Sequence, residues 1–377
     1  MSCSAARIAR DLRFPKSLKK IRFNDTTATK VGLRLSQFIG CPQIYADKAQ
    51  MKIQFRGVLL SVVYTVATAS FLAWAANVSQ AEVTAEKNDH GVVIKIDGQP
   101  FTEYLTNAGH SPALYPIIGP TGKPVTRAYP FAAKAEGGTD DHPHHQSLWF
   151  SHGIVNDIDF WTANRKDDKG NSGPHVVQRE LVKVAGGETA TIVTRNDWMN
   201  GDERVCEDER TLEFGAGPNG SRWIDFAITI KATDGDVTFG DTKEGAFAIR
   251  VADSMRVESK KGGRIENSEG LVDGAAWGKP ARWVDYTGPV DGETVGITAM
   301  SHPKSFRPTP SWHVRTYGLF AANPFGKKDF PNPDAAAQGP VTIKKGESVT
   351  FSYRVWLHRG ETDKAAIEKV FDEFAKQ

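Results

Sequence analysis

Four of the chain's ten histidines fall within eleven positions, in the stretch DDHPHHQSLWFSHG, residues 140–153. His142, His144, His145 and His152 offer imidazole nitrogens, which exchange protons near neutral pH and bind metals as neutral donors. Pro143 disfavours helix at His142. In an extended segment side chains alternate, so His142, His144 and His152 share one face while His145 and Trp149 share the other. His142 and His144 are then close enough to converge on one ligand or metal. His152 lies roughly 27 Å further along a straight strand, at about 3.4 Å per residue, and joins them only if the chain bends. The plainer alternative is that one or two of these rings are hydrogen-bonded packing residues.

Three other segments combine groups able to do chemistry. NDIDFW, residues 156–161, sets Asp159 beside Trp161, whose flat apolar face suits a sugar ring. In DTKEGAFAIRVADSM, residues 241–255, charges sit in an apolar run, which is costly unless they are paired or open to a cleft. On a strand, Glu244 and Arg250 face one way and Lys243 the other; Glu244 is a candidate general base, and Lys243 suits a structural ion pair. Residues 301–326 gather His302, Arg307, Trp312, His313, Arg315, Tyr317 and Asn323 among prolines. Strand parity puts His313 and Arg315 together, with Trp312 opposite. An arginine beside a histidine lowers the imidazole pKa and favours the neutral base. A hydrogen-bonded loop anchor would use the same residues.

The elements that must position these groups read mostly as strand. Residues 91–101 alternate around an Asp97-Gly98 turn, a hairpin signal. TATIVTRNDWM and SRWIDFAITIKA read as two more strands. Val349, Phe351, Tyr353, Val355 and Leu357 alternate with Thr350, Ser352, Arg354 and Trp356 after a Lys345-Gly346 turn. Ile367, Val370, Phe371 and Phe374 keep helical spacing, with Thr362 to cap that helix and Asp363 at its positive end. No glycine-rich phosphate loop opens a helix after a strand, which argues against a dinucleotide fold.

Ahead of this lies a different composition. Residues 57–76 form an apolar run preceded by Lys52 and Arg56 and followed by small residues ending at Ala81. Basic start, apolar centre and small-residue exit read as a secretory signal over residues 51–81, with cleavage near Ala81 and translation starting at Met1 or Met51. Residues 1–50 read as a non-native or disordered extension, and 82–377 as a single domain, secreted or periplasmic. The chain is +2 overall, but residues 1–50 carry +7 and residues 51–81 carry +2, which leaves −7 for residues 82–377. That balance removes the basic-patch argument for nucleic acid. Cys206 is the one cysteine in residues 82–377, so no disulfide staples them together.

DHPHHQSLWFSHG, DFW, DTKEGAFAIRV, WGKPARWVDYTG and WHVRTYGLFAANPFG together resemble the bacterial PmoA family, across nearly all of residues 82–377. The chain has Ser301-His302-Pro303 where that family's pattern has Asp-His-Pro. The methane chemistry in the family's label does not carry over, because residues 82–377 hold no apolar run long enough to span a bilayer. At the level of fold, the sequence is similar to galactose mutarotase-like supersandwiches: all-β, two large antiparallel sheets, here with a short C-terminal helix. That resemblance implies a sugar site with a histidine acid and a carboxylate base. The expectation is proton transfer on a sugar, by epimerisation, elimination or hydrolysis. His144, His145, Glu244 and His313 would be catalytic. His142, Trp149, His152, Asp159, Trp161, Lys243, Arg250, His302, Trp312, Arg315 and Asn323 would hold a carbohydrate or glycoside. No cofactor, nucleic acid or membrane span is expected after signal cleavage. The alternatives are a non-catalytic carbohydrate-binding or cell-surface protein, and a metal enzyme with His142, His144 and His313 as ligands.

Overall fold

The computed structural model describes residues 81–162, 173–331 and 338–377. The extension over residues 1–50 and the signal over 51–81, Ala81 excepted, lie outside the described residues. In chain order the strands are β1 (Val83–Lys87), β2 (Gly91–Ile96), β3 (Gln99–Leu105), β4 (Ala113–Leu114), β5 (Leu148–His152), β6 (Pro174–Ala185), β7 (Ala190–Asn200), β8 (Glu203–Ala216) and β9 (Arg222–Lys231). There follow β10 (Val237–Phe239), β11 (Gly245–Arg250), β12 (Arg264–Asn267), β13 (Trp283–Val290), β14 (Glu293–Ser301), β15 (Ser311–Val314), β16 (Leu319–Asn323), β17 (Val341–Ile343) and β18 (Ser348–Arg359). One helix, α1 (Lys364–Phe374), closes the chain.

Two eight-stranded sheets dominate, with orders β1-β2-β3-β4-β5-β11-β16-β15 and β12-β13-β14-β18-β9-β8-β7-β6, and β10 pairs with β17 beside them. The fold is an antiparallel, all-β sandwich. Asp97 and Gly98 both take positive φ between β2 and β3, as a two-residue hairpin turn requires.

Strand parity builds the core. Leu148 and Phe150 of β5, Phe247 and Ile249 of β11, and Phe320 and Ala322 of β16 point inward to meet the second sheet. Phe247 stacks on Tyr353 of β18 at 4.5 Å between ring centres, and Phe226 of β9 lies 5.2 Å from Phe247. The opposite parity of the first sheet forms a second cluster on its outer face: Trp149, Ala248, Leu319 and Ala321, joined by Trp161. Registers align Ala113, Trp149, Ala248, Ala321 and His313 in one row across β4, β5, β11, β16 and β15. The two alanines in mid-row leave room above the sheet, and aromatic rings pack down into it.

Helix α1 covers the outer face of the second sheet, burying Ile367, Phe371 and Phe374 against Trp283 and Met300. Its cap is Asp363, whose carboxylate accepts from the Ala365 and Ala366 backbone N–H groups. Thr362 lies one residue too early for that role. Among the described residues, no helix is long and apolar enough to cross a membrane.

Two local readings of the sequence change. The 140–153 stretch is not extended throughout: strand begins at Leu148, and residues 142–145 form a turn in which the His145 N–H donates to the His142 carbonyl. The 241–255 run is strand over Gly245–Arg250, so Lys243 and Glu244 precede it and escape its alternation.

Candidate functional site

The outer face of the first sheet carries a pocket of about 340 Å³, lined by His142, His144, His145, Thr162, Lys243, Glu244, His313, Arg315 and Tyr317. The 142–145 turn enters from before β5, Lys243 and Glu244 from before β11, and His313, Arg315 and Tyr317 from β15 and the turn after it. The turn explains why His142, His144 and His145 meet instead of dividing between two faces. His142 adopts φ 47°, and its ring stacks on His145 at 4.6 Å and on Tyr317 at 5.4 Å. His144 stands edge-on to His145 at 4.6 Å.

Two buried guanidinium groups hold that turn. Arg127 donates to the Asp141 carboxylate at 3.0 Å and to the carbonyls of Asp141, His142 and His145. Arg250 donates to Asp141 at 3.1 Å and to His145 Nδ1 at 3.0 Å, and lies 4.9 Å from the Tyr317 ring centre. Both arginine side chains are fully buried. Asp141 also bonds His142 Nδ1. Burial alone would raise the Asp141 carboxyl, but hydrogen bonds from Thr139 and His142 and the Arg250 charge outweigh it and hold it below the usual carboxylate range.

Arg250 cannot accept a hydrogen bond, so His145 Nδ1 must be the acceptor and the neutral ring carries its proton on Nε2. Burial, His144 and Arg250 all disfavour protonation of His145. His313 has the opposite arrangement. Its Nδ1 lies 2.9 Å from the Lys243 carbonyl, which only accepts, so Nδ1 carries the proton and Nε2 the lone pair. His313 is 2% exposed, and its Nε2 is buried without a partner among the described residues. Burial pushes its pKa down to about 4, opposed by Glu244. Burial and the neighbouring His142 take His144 down to about 4 as well. One pocket therefore presents an imidazole donor, His145, and an imidazole acceptor, His313.

Lys243 and Glu244 face each other at 2.9 Å, both partly exposed. The hydrogen bond to Glu244 raises the Lys243 pKa. The Arg315 guanidinium has no hydrogen bond or ion pair among the described residues; it lies over Trp277 at 5.5 Å and Tyr317 at 5.4 Å. The Asp159 carboxylate accepts from the Trp161 and Thr162 backbone N–H groups at 2.8 and 3.0 Å. That turn sends Trp161 into the outer cluster and leaves Thr162 at the rim.

Several expected ligand-binding residues have other tasks. Trp149 and Trp161 are fully buried and pack together at 5.1 Å, so neither offers an open face to a sugar. Trp312 points into the sandwich core, where Nε1 donates to the Ala281 carbonyl. His152 shares the inward parity of Phe150 and packs at 4.8 Å on Phe325, with Nε2 at 2.8 Å from the Gly240 carbonyl. Asn323 ties the chain after β16, donating to the Thr242 carbonyl and accepting from the Phe325 and Gly326 N–H groups. His302 belongs to the second sheet, with Nε2 at 3.1 Å from the Phe374 carbonyl of α1. Asp159 shapes a turn, and Arg250 acts through His145 without lining the pocket. Conversely, Arg127 and Asp141 escaped the sequence reading of the site, whereas Tyr317 stands in the 301–326 gathering. Tyr317 lies two residues from Arg315, but nothing in the sequence joins Arg127 to a turn fourteen residues later.

His142, His144 and His313, the alternative metal ligands, share the pocket. Among the described residues, however, no three His, Cys, Asp or Glu side chains form a set able to hold a metal ion.

No curated protein matches this chain. Among solved structures it is similar to a polysaccharide lyase, with 12% identity and a TM-score of 0.26 over 76% of this chain; the match spans 33% of that structure's length. A family model matches residues 91–372, from β2 into α1, and takes in every residue that lines the pocket. The chain belongs to that family, DUF6807, a family of unknown function.

Proposed function

We propose that the chain is a secreted or periplasmic carbohydrate-active protein that moves protons on a sugar, in an epimerisation, an elimination or a hydrolysis. The observation that carries this reading is the pair of neutral imidazoles presented in opposite senses, His313 with a bare Nε2 and His145 with an Nε2–H. His313 accepts a proton from the substrate, and His145 supplies one to the departing or newly forming group, with His144 beside it. Glu244 favours the imidazolium that forms on His313. Arg250 is a positioning residue that fixes the His145 tautomer. A protein that only binds sugar needs no such convergence, so the shared pocket favours the catalytic reading. Three stretches behind the PmoA resemblance supply most of the lining.

The test starts with a glycan array on the full chain, followed by turnover of the bound sugar in D2O, read by NMR. His313→Gln should retain binding and lose roughly 10²-fold or more in turnover, the usual contribution of a general base. Wild-type turnover in that variant would sink the assignment.

A further inference from the structure

Among the described residues, four cations, Arg127, Arg250, Lys243 and Arg315, stand in or directly behind the pocket, and carboxylates answer three of them. Asp141 is shared between Arg127 and Arg250, and Glu244 is engaged by Lys243. Arg315 is left without an anion among the described residues. The rings of Trp277 and Tyr317 hold its guanidinium in place without neutralising it. Beside it, His313 Nε2 is buried without a partner among the described residues. A planar guanidinium pre-positioned in this way matches a carboxylate, which it can grip through two parallel hydrogen bonds.

We infer that the ligand of this pocket is a sugar acid, whose carboxylate pairs with Arg315 while a neighbouring carbon or oxygen faces His313. The inference rests on the carbohydrate reading of the same site. It also suits the chemistry proposed there, because a carboxylate whose charge is neutralised by arginine acidifies the adjoining C–H bond. The unanswered guanidinium of Arg315 makes a neutral sugar the poorer occupant.

Calorimetric titration of the full chain with D-glucuronate, D-glucose and D-glucose 6-sulfate tests this. Wild-type protein should bind glucuronate at least tenfold more tightly than either of the other two. Arg315→Met should weaken glucuronate at least tenfold, and Arg315→Lys, which keeps the charge but not the fork, should fall between. Equal affinity for glucose and glucuronate would overturn the inference, as would a preference for the sulfate or unchanged glucuronate binding in Arg315→Met. The outcomes separate from those of the proton-transfer reading. Glucuronate binding with wild-type turnover in His313→Gln keeps the sugar acid and removes the base. Equal binding of the two sugars with lost turnover does the reverse, and binding of no sugar removes both.

Discussion

The outer faces of the two sheets carry similar residue types and use them differently. On the second sheet, Arg354 forks onto Asp225 with two hydrogen bonds of 2.6 Å. His302 beside them has both nitrogens engaged, Nε2 near the Phe374 carbonyl and Nδ1 accepting from the Lys304 N–H. None of these three leaves a buried side-chain polar atom without a partner. On the first sheet, His313 Nε2, Arg250 Nε and the indole nitrogens of Trp149 and Trp161 are all buried and unpartnered among the described residues. Arg354, Asp225 and His302 close on one another over the second sheet, while over the first His313 and Arg315 line a pocket with a ring nitrogen and a guanidinium that no described residue pairs. What marks the candidate site is therefore not its residue types but the hydrogen-bonding capacity that its lining leaves unused.

Acidification should give the largest change in stability and should fall on the first sheet's side. Burial lowers His110 to about 3, and His152 and His313 to about 4, so each folded-state value lies below the ordinary 6.5. The unfolded chain then binds more protons than the native one below pH 6.5, and stability falls as pH drops from there toward 4. Each imidazole accounts for about 3 kcal/mol, at about 1.4 kcal/mol per pH unit. His358, raised by Asp285 against the effect of burial, runs the other way and is too lone a group to reverse the trend. Urea denaturation at pH 7, 5.5 and 4.5 measures this, and a flat profile would contradict the burial of these rings.

Removing one partner of the closed cluster should come next. Asp225→Ala leaves Arg354 charged and buried, at an expected cost of about 3–5 kcal/mol. Binding at the pocket on the other sheet should be unchanged in the folded fraction. A loss below 1 kcal/mol would mean that the pair is solvated and the contrast between the faces is overstated. Arg250→Met is subtler. Without its donor, His145 is free to exchange tautomers, and turnover should fall about tenfold or more with little change in KM. A loss confined to KM would make Arg250 a binding group instead of a positioning one.

The sequence made the sandwich readable because half-buried strands alternate, as residues 349–357 do, and because Asp97-Gly98 demands a tight hairpin. Parity also set His313 and Arg315 on one side and Trp312 on the other, but not which side faces the core, where Trp312 lies. It failed wherever the chain leaves the strand. The 142–145 turn depends on a positive φ at His142 and on two arginines from distant positions, neither of which any local pattern shows. Tryptophan's flat face suggests a sugar platform, yet Trp149 and Trp161 fill the space above Ala248 and Ala321. Which of two uses a large aromatic serves depends on what stands across the sheet, and that is a property of register between strands far apart in sequence.

Arg315→Met carries the smallest expected effect on stability and separates the two faces most sharply. Arg354 and Arg315 both lie over aromatic rings, Trp223 at 4.9 Å in one case and Tyr317 at 5.4 Å in the other. The first also has a carboxylate and the second, among the described residues, does not. Removing a partly exposed guanidinium that answers no anion among the described residues costs some ring contact and relieves repulsion from Lys243. Stability should therefore stay within about 0.5 kcal/mol of wild type, while acid binding drops. A destabilisation of 2 kcal/mol or more in the same urea titration would mean that Arg315 already has a structural anion in solution, and the two faces would then be alike.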